Sequence, residues 1–242
     1  VSVILVGAGP GDADLLTLRA ARHIASAQVV VVDRLVDPSV HDLIPLSAVV
    51  HYVGKTPGES HSQASINELL VRLGQSGQRV VRIKGGDPFL FGRGGEELIA
   101  LHEAGVACDV VPGISSALAG PLAAGIPVTH RGVSRGVLVV TGHVADGEFP
   151  SLRDMAHPDI SIVVLMGIAH RAQISRELVS GGLSPETPVA VVERAWTSSQ
   201  RSVRGQLDGL AVMEVVSPAV IVIGPVAAMS LREISAQLAV AI

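Results

Sequence analysis

Apolar residues fall in short blocks along the first half of the chain, separated by stretches in which they recur at helical spacing. Residues 1–6 form an apolar run that stops at Gly7-Ala8-Gly9-Pro10-Gly11. Residues 15–25 show helical spacing, and 29–32 is a continuous β-branched run ended by Asp33. Strands are predicted again at 49–53, 78–83 and 107–111, and helices at 63–73 and 96–104. Strand and helix alternating through short turns predict a parallel α/β sheet. Pro112-Gly113-Ile114-Ser115-Ser116 breaks the alternation, and the domain junction is placed there, giving domains 1–113 and 114–242. Ser115 or Ser116 can cap a short helix over 117–124, although Pro121 argues against its later part. The second half carries strand patterns at 136–141, 161–166, 189–193, 201–206 and 219–223, with helices at 170–180 and 227–240. The strands around Ala195-Trp196-Thr197-Ser198-Ser199 form a hairpin pattern, so the second sheet is expected to be mixed. The fold class is α/β, in two α/β domains.

The most informative stretch is 85–97, Gly-Gly-Asp-Pro-Phe-Leu-Phe-Gly-Arg-Gly-Gly-Glu-Glu. It leaves a predicted strand and enters a predicted helix. Glycine lets backbone approach a ligand without a Cβ clash, and Pro88 keeps Asp87 extended. Open α/β sheets bind small molecules at such strand ends.

Composition narrows the classes. Hydrophobic residues make up 48% of the 242 and aromatic residues 2%, so the core is Val, Leu, Ile and Ala, which suits buried parallel strands. The net charge of −4 offers no attraction to nucleic acid, and one Trp, one Tyr and three Phe do not make a base-stacking surface. No apolar run reaches the length of a membrane span, and the N-terminus has no basic region followed by a signal core. Cys108 is the only cysteine and reads as a structural thiol in a buried strand, with reducing cytosol the default compartment. The nine histidines are scattered and no metal-ligand spacing appears. The apolar composition also predicts a homodimer. The chain opens on Val1, and the expectation is a trimmed chain or a domain of a longer protein.

Residues 7–12 invite comparison with a dinucleotide fingerprint, with Asp33 in the position of a ribose-binding acid. The details resist it. Asp12 stands where the fingerprint needs glycine, and Pro10 lacks the N–H a phosphate cradle uses. A carboxylate already occupies the anion position at the helix start. An NAD-dependent oxidoreductase using residues 7–11 and Asp33 is kept as the alternative of a different class.

Taken in order, the motifs resemble the tetrapyrrole methylase family over nearly the whole chain. They are 6–12 with Leu15-Leu16-Thr17, Val32-Asp33-Arg34-Leu35-Val36, Gly54-Lys55, residues 84–97, 111–116, and Gly125-Ile126-Pro127-Val128-Thr129-His130-Arg131. Asp-Arg-Leu-Val, Gly-Lys and Pro-Val-Thr-His-Arg favour the branch that methylates uroporphyrinogen III. The alternative within the class is a sister methylase acting on a later corrin, a diphthine-type substrate or ribosomal RNA.

The resemblance implies two α/β domains with the active site in the cleft between them, and S-adenosylmethionine as methyl donor with no metal. It implies donor contacts from Pro10, Gly85, Gly86, Asp87, Leu90, Ser115, Ser116, Met166 and Ala195, with Gly224 a weaker member. Ser115-Ser116 stands where the family commonly has Thr-Ala or Ser-Ala, so the first hydroxyl is kept. Asp33 matches the proposed proton acceptor and Lys55 the proposed donor. Arg93, His130 and Arg131 are the candidates for binding acceptor carboxylates, because arginine offers a matching fork. The plainer roles stay open. Asp33 can cap a helix or pair with Arg34, Asp87 can cap its own turn, and Lys55 can be a surface lysine. Arg93 can pair with Glu96 or Glu97, and His130 can be a packing residue. The implied activity is two methylations, at C2 and C7, giving precorrin-2 through precorrin-1 for siroheme or cobalamin. A fused or partner dehydrogenase/ferrochelatase domain is expected, in the cytoplasm.

Overall fold

A computed structural model gives the structure of residues 2–56, 59–60, 62–143 and 151–231, with backbone only at 55, 56, 59 and 60. The chain divides into two compact units, Val1–Ser115 and Ser116–Ile242.

The first unit runs β1 (Val3–Gly7), a 3-10 turn (Ala13–Leu15), α1 (Leu18–Ala25), β2 (Val29–Asp33), α2 (Pro38–His41) and β3 (Val49–Val53). The short strands β4 (Lys55–Thr56) and β5 (Glu59–Ser60) follow, then α3 (Gln63–Gly74), β6 (Val80–Lys84), α4 (Gly94–Glu103) and β7 (Cys108–Val111). Its sheet has the order β3-β2-β6-β1-β7, and every pairing is parallel, so all these strands end on one edge. The uninterrupted run Val29-Val30-Val31-Val32 follows from burial on both faces. Val30 and Val32 pack with Ile24 of α1 and Val40 of α2, while Val29 and Val31 pack with Leu70 of α3 and Leu101 of α4. On β6, Arg82 and Lys84 share the parity of Val80, which belongs to the α3–α4 layer, so two cations turn into that layer.

The helix predicted over 15–25 starts later than expected. Two side-chain caps divide the segment: Asp12 accepts from the Asp14 N–H, and the extended Thr17 accepts from the Ala20 N–H at 3.1 Å. Cys108 lies in β7 as expected but is half-buried, since β7 is an edge strand.

The second unit runs α5 (Ser116–Ala123), β8 (Gly136–Thr141), β9 (Ile160–Leu165), α6 (Arg171–Ser180), β10 (Pro188–Glu193), β11 (Arg201–Gln206) and β12 (Ala219–Ile223). The order is β11-β10-β12-β9-β8. β8 and β9 are parallel, β12 is antiparallel to both β9 and β10, and β11 is antiparallel to β10. The expected hairpin and mixed sheet are both present. α5 continues through Pro121, whose carbonyl accepts from the Ala124 and Ile126 amides at 3.0 Å each and so closes the helix end. Of the helix predicted at 227–240, residues 227 and 228 end a 3-10 turn (Pro225–Ala228), and 232 onward lies outside the described residues. No helix among the described residues is long and apolar enough to cross a membrane.

Candidate active site

The ends of β1, β6 and β7 meet backbone against backbone. Gly86 donates its N–H to the Gly9 carbonyl at 2.7 Å, and Gly9 returns one to the Gly86 carbonyl at 3.2 Å. A Cβ on Gly7 would lie 2.5 Å from the Gly113 nitrogen and 2.7 Å from the Gly86 oxygen. Gly7 and Gly113 are therefore needed for the loops to pass each other, and Gly86 sits in the left-handed region at φ 67°. Pro10 lies half-buried beside this contact, with Gly85 half-buried at its other end. The Ala8 N–H is spent on the Lys84 carbonyl at 2.8 Å and the Gly9 N–H on Gly86. With Pro10 having no N–H, these positions cannot cradle a phosphate, and the dinucleotide reading loses its physical basis.

Asp87 staples two of these loops. Its Oδ1 accepts from the Phe89 N–H at 2.9 Å and its Oδ2 from the Gly113 N–H at 3.2 Å. Each carboxylate oxygen keeps a second lone pair, so the turn-capping role and a ligand-accepting role are compatible. Leu90 is half-buried in the same loop. Arg93 adopts a left-handed conformation at the start of α4 and forks onto Glu96, Nε to Oε1 at 2.8 Å and Nη2 to Oε2 at 2.7 Å. The hydrogen bond to Glu96 raises the Arg93 pKa, and the same bond lowers that of Glu96. The fork expected to meet an acceptor carboxylate thus holds a carboxylate of its own chain.

Asp33 ends β2 at the same edge. Its partner is Arg82 of the neighbouring strand, not Arg34: Arg82 Nη2 donates to Asp33 Oδ1 at 2.5 Å. Arg34 is exposed, whereas the parallel register sets Val31 and Val32 beside Arg82 and Ile83. Behind the pair, Glu97 Oε1 accepts from Arg82 Nε at 3.1 Å and from Lys84 Nζ at 2.8 Å. Arg82, Lys84 and Glu97 are all buried. Burial pushes the Lys84 pKa down and Arg82 pushes it further, with Glu97 opposing both. Sequence reasoning missed this cluster. Its one signal is polar residues at alternate positions of Val80-Val81-Arg82-Ile83-Lys84, which ordinarily marks a strand with a wet face. Lys55 opens β4, two residues beyond the end of β3, and its side chain lies outside the described residues.

In the second unit, β8, β9 and β10 point one way, which brings Met166 after β9 and Ala195 after β10 to one edge. Met166 is half exposed. Ala195 is buried against Ala123 and Val192, and Glu193 and Trp196 clamp the turn around it. Glu193 Oε1 accepts from the Val216 N–H at 2.8 Å, and Trp196 Nε1 donates to the Ala119 carbonyl at 2.8 Å. Ser115 closes the first unit and Ser116 opens α5, each half-buried.

Three expected site residues fall elsewhere. β12 is antiparallel, so Gly224 emerges at the opposite edge, where its N–H donates to the Pro188 carbonyl at 2.9 Å. His130 pairs its backbone with Ser134, whose hydroxyl accepts from the Ser161 N–H at the start of β9 at 2.9 Å. The exposed Arg131 follows it there. The length of β9, roughly 17 Å at about 3.3 Å per residue, lies between this group and Met166. Strain sorts the same way. Among the described residues, the non-glycine positions with positive φ are Phe91 and Arg93 in the loop that leads from β6 into α4, Met166 directly after β9, and Arg194 and Trp196 just after β10. Such backbone collects at functional sites.

The sequence profile of the tetrapyrrole (corrin/porphyrin) methylases matches residues 2–211. The chain belongs to this family. A uroporphyrin-III C-methyl transferase from Thermus thermophilus, solved in complex with S-adenyl homocysteine, is 44% identical, with a TM-score of 0.83 over 93% of either chain. A cobalt precorrin-4 methyltransferase is 27% identical with a TM-score of 0.80 over 94% of this chain and 96% of its own. Siroheme synthase 2 of Aeromonas hydrophila is 46% identical over 235 residues, 95% of this chain. The chain spans 50% of that protein's length. For this tetrapyrrole methylase, family membership removes the oxidoreductase alternative.

Proposed function

We propose that this chain is an S-adenosylmethionine-dependent C-methyltransferase that methylates uroporphyrinogen III at C2 and C7, giving precorrin-2 through precorrin-1. The observation that carries the reading is its likeness to the Thermus thermophilus enzyme along the length of both chains. The donor supplies a methyl group on a sulfonium, transferred by in-line displacement, so the protein's task is alignment and exclusion of water. Pro10, Gly85, Gly86, Asp87 and Leu90 would hold the donor from the first unit. Ser115, Ser116, Met166 and Ala195 would complete the set. The free lone pairs of Asp87 and the carbonyls of the glycine turn suit a ligand with ribose hydroxyls and an ammonium. Gly224 is left out because it emerges at the other edge of its sheet.

The acceptor ring, once methylated, must lose a proton. Asp33 is assigned as the acceptor of that proton, since it lies at a strand end with its carboxylate partly open. Lys55 is assigned as the proton donor. Arg93 binds a substrate carboxylate by exchanging it for Glu96. His130 and Arg131 are assigned no part in the chemistry. The size of the siroheme synthase relatives supports a dehydrogenase/ferrochelatase activity downstream, fused or separate, and thus siroheme or cobalamin as the end product. A cytoplasmic homodimer completes the proposal, and sedimentation as a monomer at micromolar concentration would remove its dimeric part.

Anaerobic incubation with uroporphyrinogen III and S-adenosylmethionine, followed by mass spectrometry, tests the assignment. Two added methyl groups are expected. A product without them sinks the substrate, and absence of S-adenosylhomocysteine binding by calorimetry sinks the class.

A further inference from the structure

Arg82 is the largest fully buried side chain among the described residues, and it lies on the central strand of the first sheet. Its guanidinium is held on every side. Nε donates to Glu97 Oε1 at 3.1 Å, and Nη1 donates to the carbonyls of Val31 at 3.4 Å and Ile83 at 3.0 Å. Nη2 donates to Asp33 Oδ1 at 2.5 Å. A planar fork fixed at this many points has no rotational freedom left, and it transmits that rigidity to whatever it grips. What it grips at its outer end is Asp33, whose side chain is 28% exposed against 2% for Arg82. Oδ2 of Asp33 has no partner among the described residues. One carboxylate oxygen is therefore anchored to the sheet and the other is left without a hydrogen bond, on a side chain that is 28% exposed.

Stability alone does not account for such an arrangement. A buried ion pair is often no more stabilising than packed apolar side chains of the same volume. Placing Arg82, Lys84 and Glu97 among the valines and leucines of the α3–α4 layer is costly, and the only partly exposed member of the chain of contacts is Asp33.

We infer that Arg82 is a positioning residue for the reaction: locked by Glu97 and the carbonyls of Val31 and Ile83, it holds the Asp33 carboxylate so that Oδ2 faces the substrate proton. This rests on the reading of Asp33 as proton acceptor. Behind it, Glu97 neutralises the guanidinium and fixes its plane, and Lys84 holds Glu97 in place. The arrangement makes proton removal depend on a residue that touches neither donor nor acceptor.

The test is a double-mutant cycle of Asp33→Asn and Arg82→Lys, with Arg82→Gln as a second arm, run on the whole chain. The lysine keeps a cation beside Glu97 but loses the fork. Variants are read by kcat for uroporphyrinogen III, by KM, by S-adenosylhomocysteine affinity from calorimetry and by the thermal transition. Arg82→Lys is expected to lower kcat by roughly tenfold to a hundredfold, as a misplacement of about an ångström does. Donor affinity should stay within about threefold. In the Asp33→Asn background, either Arg82 substitution should lower kcat no further, because contacting residues that act as one unit are non-additive. Losses that multiply in the double variant would overturn the positioning role while leaving Asp33 as the base. A wild-type kcat in Asp33→Asn would overturn the reading of Asp33 and this inference with it. A fall in donor affinity as large as the fall in kcat would make Arg82 a structural residue of the donor loop.

Discussion

Lys84 Nζ lies 2.8 Å from Glu97 Oε1 at a point where both side chains are buried. The pair joins the last residue of β6 to the first turn of α4 and so fixes the loop 85–93 at both ends. Glu97→Ala would leave Lys84 as a buried cation without its partner. It should destabilise the fold by about 3–5 kcal/mol, read from denaturant unfolding, with Glu97→Gln milder.

The same pair sets a pH dependence. Burial lowers the Lys84 pKa below its ordinary 10.5. The unfolded chain therefore binds more protons at this site than the folded chain in the window just below 10.5, and stability from this site rises with pH there. The cost of the buried cation is fully present below the folded pKa. The difference in melting temperature between wild type and Lys84→Met should shift in favour of wild type as pH climbs through that window. A difference that stays flat with pH would show that Lys84 titrates alike in both states.

Two glycines should respond in opposite directions. Gly7→Ala pushes a methyl group against the Gly113 backbone and should cost more than about 2 kcal/mol, or block folding. Gly95 lies in α4, where an added Cβ would meet nothing within 4 Å, so Gly95→Ala should stabilise by roughly 0.5–1 kcal/mol. Thermal unfolding distinguishes the two.

Arg93 and Arg131 should differ in substrate binding. Arg93→Ala should raise KM for the tetrapyrrole roughly tenfold, the scale of one charged hydrogen bond. Glu96→Gln, which loosens the competing fork, should lower KM. Arg131, exposed at the far edge of its sheet, should change KM by less than about twofold on conversion to Ala. A large effect at Arg131 would bring that edge into the substrate site.

Cys108 should be a poor nucleophile. Burial pushes its pKa up from 9.0 to about 11, so at pH 8 its thiolate fraction is about 100-fold below that of the unfolded chain. Alkylation with iodoacetamide should be slow in the native protein and fast in denaturant. Equal rates would show that the β7 edge opens readily.

The alternation of apolar runs and helical spacing determined the strands and helices, the hairpin after β10 and the glycine turns, because each depends on residues near in sequence. The motifs also carried the family. Where the pattern misled, a distant partner decided. Asp33 meets Arg82 across 49 positions, and no local pattern favours that cation over the adjacent Arg34. Gly224 follows a strand that looks like the others, and only its pairing reveals that it runs the opposite way. Arg82, Lys84 and Glu97 look like surface residues in the sequence and are buried in the fold, because Glu97 and Asp33 balance the two cations only once β2, β6 and α4 have packed. Local chemistry thus determined which elements form and which loops approach a ligand. Tertiary packing decided which of the expected residues share an edge, and gave the proposed base its anchor.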